Sequence, residues 1–300
     1  MTINELKTYD PATYNMLENI WGVENGGRDN NLEPFCWDVL ANGKKNVRGY
    51  RKFDKHIRVL DCFDIYAEGS ISDELIRHAA SVAAELLDND EDGIVDDPLI
   101  EAQLRDAMAV MPIFVEDDED SPAMKEFEKA REGSSSAYLF EFEMDPDWTG
   151  SVNGNHRDAT LEEILHTINH IGHAQVYPEA FEMNEDSESF LTDAMDIARG
   201  GKFLEIPNKY PGSSWYGYDD DTCDYGCMAT EYIYWGTIAN MGLLAPDCNV
   251  IKDEWRACST DDFRRRDHRL YKLIKDYNMP QWAPNGNYRG SRECSPVWLP

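Results

Sequence analysis

The chain has 300 residues, 42% of them hydrophobic, and sets 58 acidic against 28 basic side chains for a formal charge of −30. That is enough apolar material for one large core or two closely packed ones, and a mean hydropathy of −0.60 excludes a membrane-embedded bulk. A charge of this size and sign repels nucleic-acid phosphates and anionic lipid surfaces, so neither kind of partner is expected.

No run approaches the roughly 18 apolar residues that span a bilayer, and the opening "MTINELKTYDPATYNM" lacks the basic and apolar regions of a signal peptide. Residues 1–55 read as an irregular N-terminal layer, loop-rich and anchored by rings such as Trp21, Phe35 and Trp37. From His56, "HIRVLDCFDIYAE" has the apolar alternation of a strand. Ser72 then caps a helix over "SDELIRHAASVAAELL", with Asp73 and Glu74 at its positive end. A second strand is expected in "AMAVMPIFVED", a short helix in "SPAMKEFEKARE" behind Ser121 and Pro122, and a third strand in "SAYLFEFEM". The turn-rich stretch 145–158 is the best boundary, dividing an α/β subdomain (56–150) from a helical lobe (151–300) within what reads as one unit. The resulting expectation is an α+β fold: a small sheet with helices, then a mainly helical, loop-rich C-terminal lobe.

Between the first helix and the second strand lies "DNDEDGIVDD". Asp88, Asp90 and Asp92 stand at positions 1, 3 and 5 of a calcium loop, Gly93 at the turn position, and Ile94 where a backbone carbonyl is the ligand. The stretch resembles the loops of EF-hands and dockerins, which implies bound Ca2+ of structural type. Leu99 stands where those loops carry a bidentate glutamate, so Asp96 or Asp97 must complete the sphere.

The helical lobe opens with "EEILHTINHIGH". Asp158 or Thr160 is a suitable cap and Pro178 ends the segment, so 160–175 reads as one helix. At about 100° per residue, Glu162, Glu163, His166, His170 and His173 fall on one face within roughly 100° of arc. Burying two carboxylates and three imidazoles without a shared cation would cost several kcal/mol, on the order of the penalty for unpaired buried charge. A divalent metal removes that cost. His166 and His170 have the i, i+4 ligand spacing, Glu162 and Glu163 alternate as ligand or base, and Glu163–His166 also has the ExxH spacing of di-iron carboxylate proteins, although a second ExxH is missing. One straight helix cannot close a coordination sphere, and Glu231, in the helical stretch "CMATEYIYWGTIANMG", is the candidate from a second element.

"EEILH" resembles the HExxH helix of zinc peptidases with Glu162 in place of the first histidine, and the downstream Glu231 is similar in placement to the third ligand of gluzincin-type enzymes. The resemblance implies a zincin-like site: Zn2+ or another divalent transition metal held by His166, His170, Glu231 and Glu162, with Glu163 as general base and a tyrosine as oxyanion donor. Tyr177, Tyr216, Tyr218 and Tyr232 are the candidates, Tyr232 foremost because it adjoins Glu231. The expected function is a metal-dependent hydrolase acting on a peptide or other small polar substrate. The alternative is a non-catalytic calcium- and metal-binding protein with a pseudo-active site. The aromatic loop "SSWYGYDDD" reads equally as a substrate wall or as an anchor. Of seven cysteines, Cys223 and Cys227 in "CDYGC" suit a local disulfide, since no second pair of zinc-knuckle spacing exists. This favours a secreted protein whose leader is absent from the chain, with a cytoplasmic location as the alternative.

Overall fold

The computed structural model describes residues 37, 39–41, 47–146, 158–244 and 248–290. Five strands lie side by side in chain order: β1 (Leu40–Ala41), β2 (Lys55–Val59), β3 (Phe63–Ala67), β4 (Val110–Phe114) and β5 (Leu139–Phe140). The stretch expected as one strand from His56 is a hairpin, with Ile57 opposite Ile65 and Val59 opposite Phe63. Its turn is built on Leu60 and Asp61, both at positive φ (44° and 57°), and the Cys62 N–H donates to the Val59 carbonyl at 3.1 Å. Mirror-image turns of this kind normally advertise themselves with Asn or Gly, and here neither is present.

β3, β4 and β5 are parallel, so each join must cross over. The first crossover carries α1 (Asp73–Leu87) and α2 (Pro98–Ala107), the second α3 (Pro122–Phe127). Ser72 caps α1 and Ser121 caps α3, as their positions predict. The strand expected over "SAYLFEFEM" is limited to Leu139–Phe140. Glu141–Glu143 instead forms a 3-10 turn, held where the Phe140 N–H donates to the Glu143 carboxylate at 2.7 Å.

Alternation along the strands sorts side chains to two faces. Ile57, Val59, Phe63, Ile65, Met111 and Ile113 join the main core. Tyr66, Val110, Phe114 and Phe140 face a smaller aromatic cluster closed by Tyr50, Phe53 and the α3 residue Ala123. The main core continues without a break into the C-terminal helices, from Ile57 to Tyr288. Most of the expected N-terminal layer and of the boundary at 145–158 lies outside the described residues.

Beyond that boundary the chain is helical, and the fold is α+β. α4 (Ala159–Thr167) runs directly into a π-helical stretch (Ile168–His173) and α5 (Ala174–Val176). Then come α6 (Pro178–Phe181), α7 (Phe190–Arg199), α8 (Tyr225–Asn240), α9 (Thr260–Arg266) and α10 (His268–Asp276). α8 is apolar almost all round, the signature of a helix buried within a core: Met228, Ala229, Ile233, Trp235, Ile238 and Ala239 are all at most 1% exposed. Gly236 is where α10 comes closest, since a Cβ there would lie 2.2 Å from Cδ2 and 2.9 Å from Cγ of the buried Leu270. Gly236→Ala should therefore cost about 1–3 kcal/mol through overpacking, despite the better helix propensity of alanine. Chemical denaturation measures this; an unchanged or raised midpoint would show that α10 does not pack against α8 at this distance.

Candidate metal centre

Asp158 fixes the helix that carries the site. Its carboxylate accepts from the Thr160 N–H at 3.1 Å, capping α4, and from the Asp145 N–H at 3.3 Å. The same buried side chain pairs with His78 on α1, so the start of α4 is tied to the helix lying on the sheet. α4 follows the expected 3.6-residue geometry through His166. The Ala174 N–H then bonds to the Asn169 carbonyl five residues back, a wider turn than an α-helix makes. Positions after Thr167 consequently lag behind the simple projection.

That change divides the three histidines. His166 is buried at the contact with α8, its Nε2 lying 3.4 Å from a Glu231 oxygen and 3.8 Å from a Glu162 oxygen. One donor atom from each of Glu162, His166 and Glu231 falls within 4.8 Å of the others, a group able to hold an ion. His170 is exposed and lies outside that group, on the wall of the same cleft. His173 is buried edge-on against Phe181, with centroids 5.2 Å apart, and burial pushes its pKa down to about 4. It is a neutral core imidazole.

The cleft beside the group encloses about 940 Å3. Glu163, His166, His170 and Glu231 line it together with residues of the segment Arg131–Ala137 and the end of α2. Burial is the main reason Glu163 rises to a pKa of about 8; neighbouring His166 opposes the rise, and Glu162 reinforces it. For His166, burial alone would lower the pKa, but hydrogen bonds to Glu162 and Glu231 outweigh it and hold the ring up to about 10. Without an ion the cluster is thus an imidazolium between two carboxylates; with one, the metal takes the place of the proton. The donor set fits a divalent cation: two carboxylates and an imidazole, from two separate elements, opening on a cavity with room for further ligands.

None of the tyrosines expected as oxyanion donors is on the cleft wall, although Tyr218 lies within electrostatic reach of Glu231 and Glu162. Tyr232 is fully buried and its hydroxyl donates to Asp267, which also accepts from the Trp215 indole at 2.8 Å. Tyr216 donates to the Met228 carbonyl at 2.6 Å, and Tyr177 to Asp97 at 2.7 Å. Tyr218 is half-buried and is not part of the cleft wall. Trp215 and Tyr216 therefore anchor their loop to the core, the second of the two readings of "SSWYGYDDD". The donors that do line the cleft are Gln103, Arg131, Ser135, Ser136, Gln175, Asn184 and Thr230. Of these only Thr230, next to Glu231, carried any sequence signal. Tyr234, also unanticipated, packs edge-on against the His166 ring at 5.7 Å.

The acidic loop forms a second group. Donor atoms of Asp88, Asp90 and Asp96 fall within 4.8 Å of one another. Asp88 accepts from the Asp92 N–H at 3.0 Å and the Gly93 N–H at 2.7 Å, across a turn with Gly93 at φ 91°. Asp92 is outside that group and accepts from the Ile94 N–H at 2.8 Å; the Ile94 side chain is exposed. Of the two acids weighed for the last position, Asp96 joins the group. Asp97 instead caps α2, accepting from the Leu99 N–H at 2.8 Å.

Among the described residues two cysteine pairs are bonded, Cys223–Cys227 and Cys248–Cys258, while Cys62 is free and buried. The first bridge closes the start of α8, one turn before Glu231. Comparison with protein-family models, with curated proteins and with solved structures finds no match to this chain.

Burial is the leading cause of the raised pKa values of Asp88 and Asp96, both pushed up to about 7. A carboxyl raised in the folded state above its unfolded value of about 4 contributes stability below that value and loses it as pH climbs through the folded pKa. Metal-stripped protein should therefore melt lower at about pH 8 than at about pH 5, and calcium should remove much of the difference. Asp96→Asn should flatten the dependence. Thermal melts with chelator and with calcium test this, and a pH profile indifferent to calcium would show that the loop holds no cation.

Proposed function

We propose that the protein is a metal-dependent hydrolase, peptidase-like in its chemistry, with a transition-metal centre at Glu162, His166 and Glu231 and a structural calcium in the acidic loop. The observation that carries the reading is the convergence of these three donors, from two helices distant in sequence, at the edge of a cleft that also contains Glu163. A metal bound there supplies Lewis acidity and an activated water. Glu163 neighbours the ligand group on α4, and its half-buried carboxylate is placed to take a proton from that water and return it to a leaving group. Arg131 lines the same cleft, and its guanidinium, which gives one N–H to the Asp106 carbonyl at 2.8 Å, has further N–H groups for a substrate carbonyl oxygen, whereas the Thr230 and Ser135 hydroxyls donate to the Gly226 and Ala137 carbonyls. A polar lining of this kind suits a peptide or another small polar substrate.

Other features support a protein of the extracellular space. Two disulfides persist best in an oxidising compartment, and among the described residues no helix is long and apolar enough to cross a membrane.

The roles separate by mutation. His166→Ala and Glu231→Ala should each abolish stoichiometric binding of a transition metal, whereas His170→Ala should leave the metal in place. Glu163→Gln should keep the metal and lower turnover by on the order of a hundredfold or more. Elemental analysis alongside hydrolysis of a peptide library reads both. Full metal with undiminished turnover in Glu163→Gln would remove Glu163 as the base, and full metal in His166→Ala would remove the site.

A further inference from the structure

We infer that the centre is built for a six-coordinate, oxygen-preferring divalent ion of the manganese(II) type rather than for tetrahedral zinc. The inference rests on the metal site proposed above and concerns which ion that site is shaped to hold.

Selectivity follows first from the donor set. A centre assembled from His166 and His170 would offer two imidazoles, the donors that suit zinc. The π-helical stretch begins two residues after His166 and leaves His170 exposed on the cleft wall, outside the converging group. What remains is one imidazole nitrogen and two carboxylates, Glu162 and Glu231, which between them present four oxygens. Carboxylate, carbonyl and water are the ligands of magnesium, calcium and manganese, and an oxygen-rich octahedral set marks those ions.

The state of the imidazole points the same way. A histidine that ligates zinc almost always donates its other ring N–H to a carboxylate, a carbonyl or a water, and this raises its basicity. The Nδ1 of His166 is buried and has no hydrogen-bond partner among the described residues. An imidazole without that support is a weaker donor, and the anionic oxygens dominate the field at the ion.

Room around the donors acts in the same direction. All three protein donors come from α4 and α8, and two of them, His166 and Glu231, also line the cleft of about 940 Å3. Six-coordination with one donor atom from each leaves three positions for waters or substrate oxygens, which a cleft of this size accommodates. Charge acts in the same direction, because two carboxylates already neutralise a divalent ion and Glu163 stands beside them. An ion in such a field is a weaker Lewis acid than one held by two imidazoles and a single carboxylate.

The intrinsic order of affinities favours zinc over manganese at nearly any nitrogen and oxygen site, so the test is a comparison of selectivities. The full chain, stripped of metal, is titrated with manganese(II), then with zinc(II) in competition, and His166→Ala titrated alongside subtracts what the acidic loop takes up. Electron paramagnetic resonance reports the coordination of the bound manganese. Wild type should take up one equivalent of manganese in six-coordinate form. Its preference for zinc over manganese should be at least about tenfold smaller than that of Glu162→His, which restores a second imidazole. Glu162→Gln, which keeps the side-chain shape and removes the anion, should weaken manganese at least about tenfold more than zinc, and this second variant decides the matter should Glu162→His fail to fold. Zinc bound at one equivalent with no uptake of manganese, or a selectivity unmoved by the substitutions, would overturn the inference while leaving the metal site intact. Binding of neither ion would remove the site itself, and the inference with it.

Discussion

Everything about the candidate site depends on one contact, where α4 meets α8 and places His166 between Glu162 and Glu231. Three ionisable groups at a helix interface of an otherwise apolar core are costly to bury, and only a proton or a metal ion shared among them offsets that cost. Neither helix is free to relieve it by moving. α8 is enclosed along nearly its whole length, and its first turn is pinned by the Cys223–Cys227 bridge. α4 is fastened at its first residue through Asp158 and His78 to α1, and hence to the sheet. The rigid core thus holds the charged cluster in a geometry able to accept an ion.

The acidic loop is the second constraint, and it reaches further than its own turn. Residues around the end of α1 receive the C-terminal segment as it returns across the molecule. Glu85 accepts from the Gly286 N–H at 2.8 Å, Asn89 from the Gln281 N–H at 2.7 Å, and Glu91 from the Arg289 N–H at 3.2 Å. Asp88, a member of the cation group, also receives the Tyr288 hydroxyl. The acids whose donor atoms converge and the acids that tie down residues 281–289 are therefore interleaved on one short stretch. This accounts for part of the acidity of the chain as fixed structure rather than solvated surface.

Much of this was legible in the sequence, and the failures have physical causes. Caps at Ser72, Ser121 and Asp158 announced three helices, because a short polar side chain before an apolar periodic run has few other uses. The pairing of Glu162 with His166 follows from α-helical spacing, and the choice of Glu231 from an acid set among large apolar neighbours. His170 was misplaced in projection because periodicity assumes a uniform helix, and nothing in "INHIGH" declares the π-helical turn. The position of Tyr232 was equally hidden. The two neighbours of Glu231 project about 100° to either side of it, and long-range packing decides that Thr230 faces the cleft while Tyr232 turns to Asp267. The Arg131–Ala137 wall is long-range packing of a loop, on which local pattern is silent.

The central claim is that α4 and α8 share a metal ion, and anomalous diffraction from crystals of protein purified without added metals tests it most directly. Data on either side of the manganese, iron and zinc absorption edges should give a single strong peak within coordination distance of Glu162, His166 and Glu231. An ordered map of these three side chains with no anomalous peak between them, the imidazolium simply bridging two carboxylates, would contradict the account.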